Sequence, residues 1–471
     1  MKSKAAAFLA LFAAAALFCA CALVYFDVNA AELALETATL YGDEHAARGV
    51  RVEDEVRLND RLVWELGADL TDGSHDTKSH WELMRRRTGN YEHEPEPEIM
   101  VKQPYLSGKY YNIDEETVFD YPFQERIYRE LAAKLDGDGT VSERIKLADY
   151  VEDYELRAHY SPDGRGFDGT AGYTFTLPVP ESAVVEVALE RDGGIEELAI
   201  DHVTPQNYYS QSVYDGEDIY LLLNMREDGE LLDGAALPGG DWGVYRVPVS
   251  DGGADFENVE NIYALGTEWE SARLTVEPER ERLLLFTGED GGVYLTVIDT
   301  ESDCVLGRME LISAEEIAAL GWGDESALLH DMNVYTGSGY FAVKIRDIVA
   351  AAEQYAGAYE RLFVLGLSSL PTPDGERSTG GQRLDFVRDG ERFIMLESGE
   401  TYAEPRGVYP HYRRVCVFER GELAYCGWLE CQLDTGLMEY AWMSSGTYNP
   451  LEYSLRFDAS VYVDTAEGGR Q

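Results

Sequence analysis

Positive charge is scarce in this chain: 39 Lys plus Arg stand against 88 Asp plus Glu, a formal net charge of −49. Such a surface repels phosphate backbones and anionic headgroups, which excludes nucleic acid as a partner. Reaction signatures are scarce too. Neither an HExxH helix nor a C-x-x-C pair occurs, so zinc proteases, zinc ribbons and thioredoxin-like sites have no support. No Gly-x-Ser-x-Gly elbow is present, and Gly337-Ser338-Gly339 lies between VYT and YFAV as a hairpin turn. Walker loops and dinucleotide glycine fingerprints are missing, so no cofactor is expected.

What the chain does have is apolar material: 45% hydrophobic residues, with 31 Tyr, 16 Phe and 7 Trp. That composition excludes disorder for most of its 471 residues, a length that suits two or three domains of about 150 residues. Ala5 to Phe26 is an uncharged run preceded by Lys2 and Lys4 and followed by Asp27, Glu32 and Glu36. At 1.5 Å per residue it reaches about 33 Å as a helix, enough to cross a bilayer core of ~30 Å. The charge bias places the N-terminus inside, and the run reads as an uncleaved anchor in preference to a signal peptide. Cys21, in Phe18-Cys19-Ala20-Cys21, gives a minor lipoprotein alternative.

Ala30 to Thr39 has helical spacing, and Val50, Val52, Val56, Leu58, Leu62 and Trp64 follow around an Asn59-Asp60 break as a hairpin. Over about 40 residues this arrangement resembles the start of uncharacterised anchored proteins from Gram-positive bacteria, which implies location alone. Thr71 to Glu98 reads as a polar loop. Pro122 to Leu135 reads as a helix, with Phe123, Ile127, Leu131 and Leu135 one turn apart. Residues 1–30 are thus the cytoplasmic stub and anchor, and 31–170 a small mixed α/β membrane-proximal domain.

From Ala171 the pattern becomes short strands between Gly, Asp and Pro turns. ARLTV, RLLLFT, VYLTVID and CVLGRMEL make a four-stranded meander over Ala272 to Leu311, the ~40–45 residues of one propeller blade. Ala183 to Val463 resembles a β-propeller in pattern, about 60% of the chain, with room for six or seven blades and a helical insert at Ala314 to Leu320. No WD or Kelch repeat recurs at fixed phase, so paired β-sandwiches are the alternative. The expected fold is therefore mainly β: a transmembrane helix, the small domain, and a β-propeller-like domain over 171–471.

Candidate residues are few. Cys416 and Cys426 flank a turn at Glu419 to Glu422 and would face each other across strands, as a disulfide or as two buried thiols. Tyr208, Tyr209, Trp428 and Trp442 form a candidate aromatic patch for sugars or peptides, with core packing as the alternative for each ring. A calcium loop fails, because setting Gly139 at its bend puts Lys134 and Ile145 at the ligating ends. His75, His80 and His93 match no zinc spacing, so no metal is expected. These features point to a non-catalytic binding protein held in the cell membrane, facing an envelope protein or glycan. The alternatives are a carboxylate-dependent glycan hydrolase and a structural envelope component.

Overall fold

The strands follow a two-residue period. In Asp153–Ser161, Tyr154, Leu156 and Ala158 are buried while Asp153, Glu155 and Arg157 point out. In the helix Pro122–Ala132 the period changes, and Phe123, Ile127 and Leu131 face the core one turn apart. Proline enters its first turn without losing a hydrogen bond, and Gln124 caps the start by accepting from the Tyr121 backbone N–H at 3.0 Å. The computed structural model describes residues 11–21, 35–58, 62–81, 96–102, 108–114, 117–164, 172–202, 206–227, 230–250, 253–266, 269–277, 279, 281–321, 329, 332–355, 357–373, 383–400, 411–431 and 455–463.

The chain is mainly β and divides into two units: Met1–Asn90 with Asn333–Gln471, and Tyr91–Met332. In the first unit, a five-stranded sheet runs Leu35–Gly42, Glu422–Cys431, His411–Glu419, Arg392–Glu400, Arg383–Asp389. A four-stranded sheet runs Leu455–Val463, Val50–Leu58, Leu62–Asp69, His75–Trp81, and another holds the four strands from Met332 to Gly366 in sequence order. Both ends of the described β chain are thus hydrogen-bonded to distant strands. Val50, Val52, Leu66 and Ala68 pack with Leu396, Val415 and Val417 in one core of this unit.

In the second unit, Trp269–Val276, Arg282–Glu289, Gly292–Asp299 and Val305–Ile312 form the expected meander. A six-stranded sheet is built around Asp218–Glu227 and Gly243–Ser250, and smaller sheets of four and three strands complete the unit. The expected boundary at residue 170 falls inside these sheets, since Tyr173–Pro178 pairs with Asp153–Ser161 and Val184–Asp192 with Gly139–Lys146. Sheets of three to six strands do not give a blade count.

Two local expectations are corrected. The helical spacing of Ala30 to Thr39 does not yield a helix over its described part: Leu35–Gly42 is a strand paired with Glu422–Cys431, a distant ladder that overrides local periodicity. His75–Trp81, inside the expected polar loop, is a strand paired with Leu62–Asp69. Its turn is closed by Asp69 and Asp72, which accept from the backbone N–H groups of Thr71 at 2.7 Å and Ser74 at 2.8 Å. Of the apolar run, residues 11–21 are helical and exposed, and its other residues lie outside the described ones. Among the described residues no helix is long and apolar enough to cross a membrane.

Candidate functional site

A recess of about 470 Å³ opens on the sheet that contains Val50–Leu58. Alternation turns Glu53 and Glu55 away from the core that takes Val50 and Val52. Register then places Glu55 opposite Glu65, and Glu65 opposite Lys78 on the next strand. Glu53 lies opposite Gly67, which lies opposite Asp76. A side chain at Gly67 would collide with the Asp76 carboxylate and crowd Arg51; its absence admits the Arg51–Asp76 pair at 2.6 Å. Tyr462 donates to Glu53 at 2.6 Å and fixes that carboxylate. Five acidic residues, Glu53, Asp54, Glu55, Glu65 and Asp76, and one lysine, Lys78, therefore line the recess. Like charges facing each other across strands cost about 0.2–1 kcal/mol, which Glu55 and Glu65 impose on the folded chain.

Behind this face Asp54 occupies the parity of Val50 and Val52, is 2% exposed, and pairs with Arg413, itself 1% exposed. The next residue, Arg414, projects from the other face of its strand and meets Glu397, its register partner. Arg414 also donates to the carbonyls of Leu367 at 2.8 Å and Leu370 at 3.2 Å, and Tyr412 donates to Glu397 at 2.8 Å. Removing one member of such a buried pair costs about 3–5 kcal/mol, because the other charge stays buried. The Asp54–Arg413 pair thus ties the strand behind the recess to the five-stranded sheet. Sequence reading missed both pairs, although the acid at position 54 within an apolar parity was their visible signal.

In the second unit Arg246 gathers three carboxylates: Glu260 at 2.6 Å, Asp303 at 2.8 Å and Asp218 at 4.0 Å. Burial, then Asp215, pushes the Asp218 carboxyl above the usual carboxylate range. Burial also pushes Asp303 up, against the pull of Arg246. Asp303 Oδ1 is buried with no hydrogen-bond partner, an environment that favours a proton there. Chemically, the group can hold a proton on a carboxyl beside a fixed guanidinium. Among the described residues no group of three or more His, Cys, Asp or Glu is placed to hold a metal ion.

Of the expected aromatic residues, Trp428 lies in the first unit and Tyr208 and Tyr209 in the second. Trp428 is 3% exposed and stacks on Tyr412 at 4.4 Å with ring planes 3° apart, while its Nε1–H donates to Glu430 at 2.6 Å. Tyr209, in the other unit, is half-buried on Gln206–Tyr214 and donates to Gln211 at 2.9 Å. Tyr208 precedes it on the same strand. Trp442 and His93 lie outside the described residues. Cys416 and Cys426 are register partners, both buried, with their sulfurs 3.4 Å apart. Aromatic identity alone gave no means of separating packed rings from exposed ones.

No family model and no curated protein matches the chain. Solved structures with partial likeness include a protein from Bacteroides uniformis proposed to be a 6-phosphogluconolactonase, with 12% identity, 81% of this chain and 100% of that chain covered, and a TM-score of 0.26. The WD40 domain of SCAP from fission yeast shows 9% identity over 80% of this chain and 73% of its own, with a TM-score of 0.24. A post-proline cleaving enzyme from Rickettsia typhi shows 9% identity over 92% of this chain and 53% of its own, with a TM-score of 0.27. At these TM-scores the likenesses carry no argument about fold or function.

Proposed function

We propose that the protein is a non-catalytic binding protein of the cell envelope, with a β-propeller-like body and an N-terminal membrane anchor, and that its acidic recess receives a cationic segment of an envelope partner. The observation that carries this reading is the register that sets Glu55 against Glu65 within a recess that also holds Glu53 and Asp76. A bound ammonium or guanidinium is attracted by this concentration of carboxylates, which favours a cationic partner. Within the first unit, the pairing of Leu455–Val463 with Val50–Leu58 and of Leu35–Gly42 with Glu422–Cys431 ties distant parts of the chain into the sheets around this surface.

The test is calorimetric titration of the purified protein with hexalysine at low salt. Glu55→Gln/Glu65→Gln should weaken binding about tenfold and raise Tm by about 1–2 °C. The matched control is Glu190→Gln/Glu197→Gln, a facing glutamate pair in the other unit. Equal losses in both double variants would reduce the effect to net charge and sink the recess. The hydrolase alternative keeps one specific support, Asp218 and Asp303 around Arg246, whose carboxyls burial raises above the usual range. Turnover of a polysaccharide by the purified chain would move the assignment there.

A further inference from the structure

We propose that Cys416 and Cys426 are an oxidisable pair that closes into a disulfide by exchange with an external disulfide, stapling the central hairpin of the five-stranded sheet. The pairing is set by the backbone. Glu419 lies opposite Glu422 across a tight turn in which Arg420 and Gly421 both have positive φ, 53° and 83°. Counting back from that turn alone would put Cys416 opposite Tyr425. The irregularity between Val417 and Phe418 adds one residue to the other strand, so Cys416 faces Cys426. Both side chains have 0% exposure, among Met395, Phe393 and Phe418, and the Cys416 S–H donates to the Cys426 sulfur at 3.4 Å. A disulfide of about 2.05 Å brings the sulfurs roughly 1.3 Å closer, a distance within reach of side-chain rotation.

The exchange balances whichever cysteine begins it. The thiolate of one attacks one sulfur of an external disulfide, forming a mixed disulfide and releasing one thiolate. The other cysteine, having lost its proton to that thiolate, then attacks the cysteine sulfur of the mixed disulfide and expels the second external thiolate. Two cysteines are oxidised by two electrons, the external disulfide is reduced to two thiols, and the two cysteine protons end on them. Because both sulfurs are buried, exchange proceeds during folding or through opening of the hairpin. The staple also secures Leu35–Gly42, which pairs with the Cys426 strand. This inference is independent of the binding reading.

The experiment equilibrates the full chain with oxidised and reduced glutathione over a series of ratios, quenches with acid, blocks free thiols with N-ethylmaleimide and maps peptides by mass spectrometry. The expected result is a Cys416–Cys426 linked peptide lighter by two hydrogens, with Tm about 5 °C above the reduced protein. That gain should vanish in Cys416→Ala. Free thiols at both positions across the series, a link from Cys426 to Cys431 in place of Cys416, or a Tm gain that survives in Cys426→Ala would overturn the proposal. The peptide map decides even where a variant fails to fold.

Discussion

Asp218 shows how one side chain carries both a cost and a reading. Burial and the neighbouring Asp215 hold its carboxyl above the usual range, while Arg246 pulls the other way from 4.0 Å. The folded chain therefore binds that proton more readily than the unfolded chain does. The resulting stability is fully present below the unfolded pKa and is lost as pH rises through the folded one. At neutral pH the ionised Asp218 is a net liability. Asp218→Asn keeps an acceptor for the Val249 N–H that this carboxylate accepts from, and removes the charge. Calorimetry from about pH 4 to 8 should give a variant Tm about 1–2 °C higher at neutral pH, with the gap closing as the solution is acidified. A gap of constant size, or of the opposite sign, would contradict the assignment. Such a residue is invisible in sequence among 88 acids, because what distinguishes it is Arg246 on another strand and its own burial. Asp54 was closer to legible: Val50 and Val52 mark the core face of its strand, and an acid at the same parity requires a buried partner. Its identity, Arg413, is 359 positions away and has no local signature.

At the scale of the element, most strands could be read from alternation and turn residues. The meander from Trp269 to Ile312 and the helix Pro122–Ala132 stand where periodicity put them, because local pattern and tertiary packing agree. Leu35–Gly42 was misread for the opposite reason, since its ladder partner is nearly four hundred residues on. Close approach between strands is similarly hidden. Gly243 opens its strand with a backbone so near the Tyr263 carbonyl that an added Cβ would collide with that oxygen. Gly243→Ala must push apart Gly243–Ser250 and Glu260–Ala264, at a cost of about 2 kcal/mol. Gly307, on Val305–Ile312, has open space at its Cβ position. Urea unfolding should show a lower midpoint for Gly243→Ala and a shift within about 0.5 kcal/mol for Gly307→Ala. Equal shifts would mean that strand propensity, and not the Tyr263 contact, governs this position.

For the whole molecule, charge is the property that sequence states most directly and structure least alters. A net −49 leaves no electrostatic route to an anionic bilayer, so the membrane attachment we propose rests on apolar contact alone. In that proposal the uncharged run Ala5 to Phe26 is the segment suited to the contact, and Lys2 and Lys4 would set its orientation. The acidic recess and the paired thiols both gain meaning outside the cytoplasm, where cationic partners and disulfide exchange are accessible. The expected outcome is that the protein sediments with membranes through high-salt and carbonate washes and is released by detergent. Protease added to intact cells should digest the β-rich body, and the intact mass should include residues 1–30. Deleting residues 5–26 should abolish membrane sedimentation, because no charge attraction remains to hold the chain there. Recovery of the full-length folded protein in the cytosolic fraction, resistant to external protease, would remove the envelope from the proposed function. It would leave the recess to be judged on binding alone.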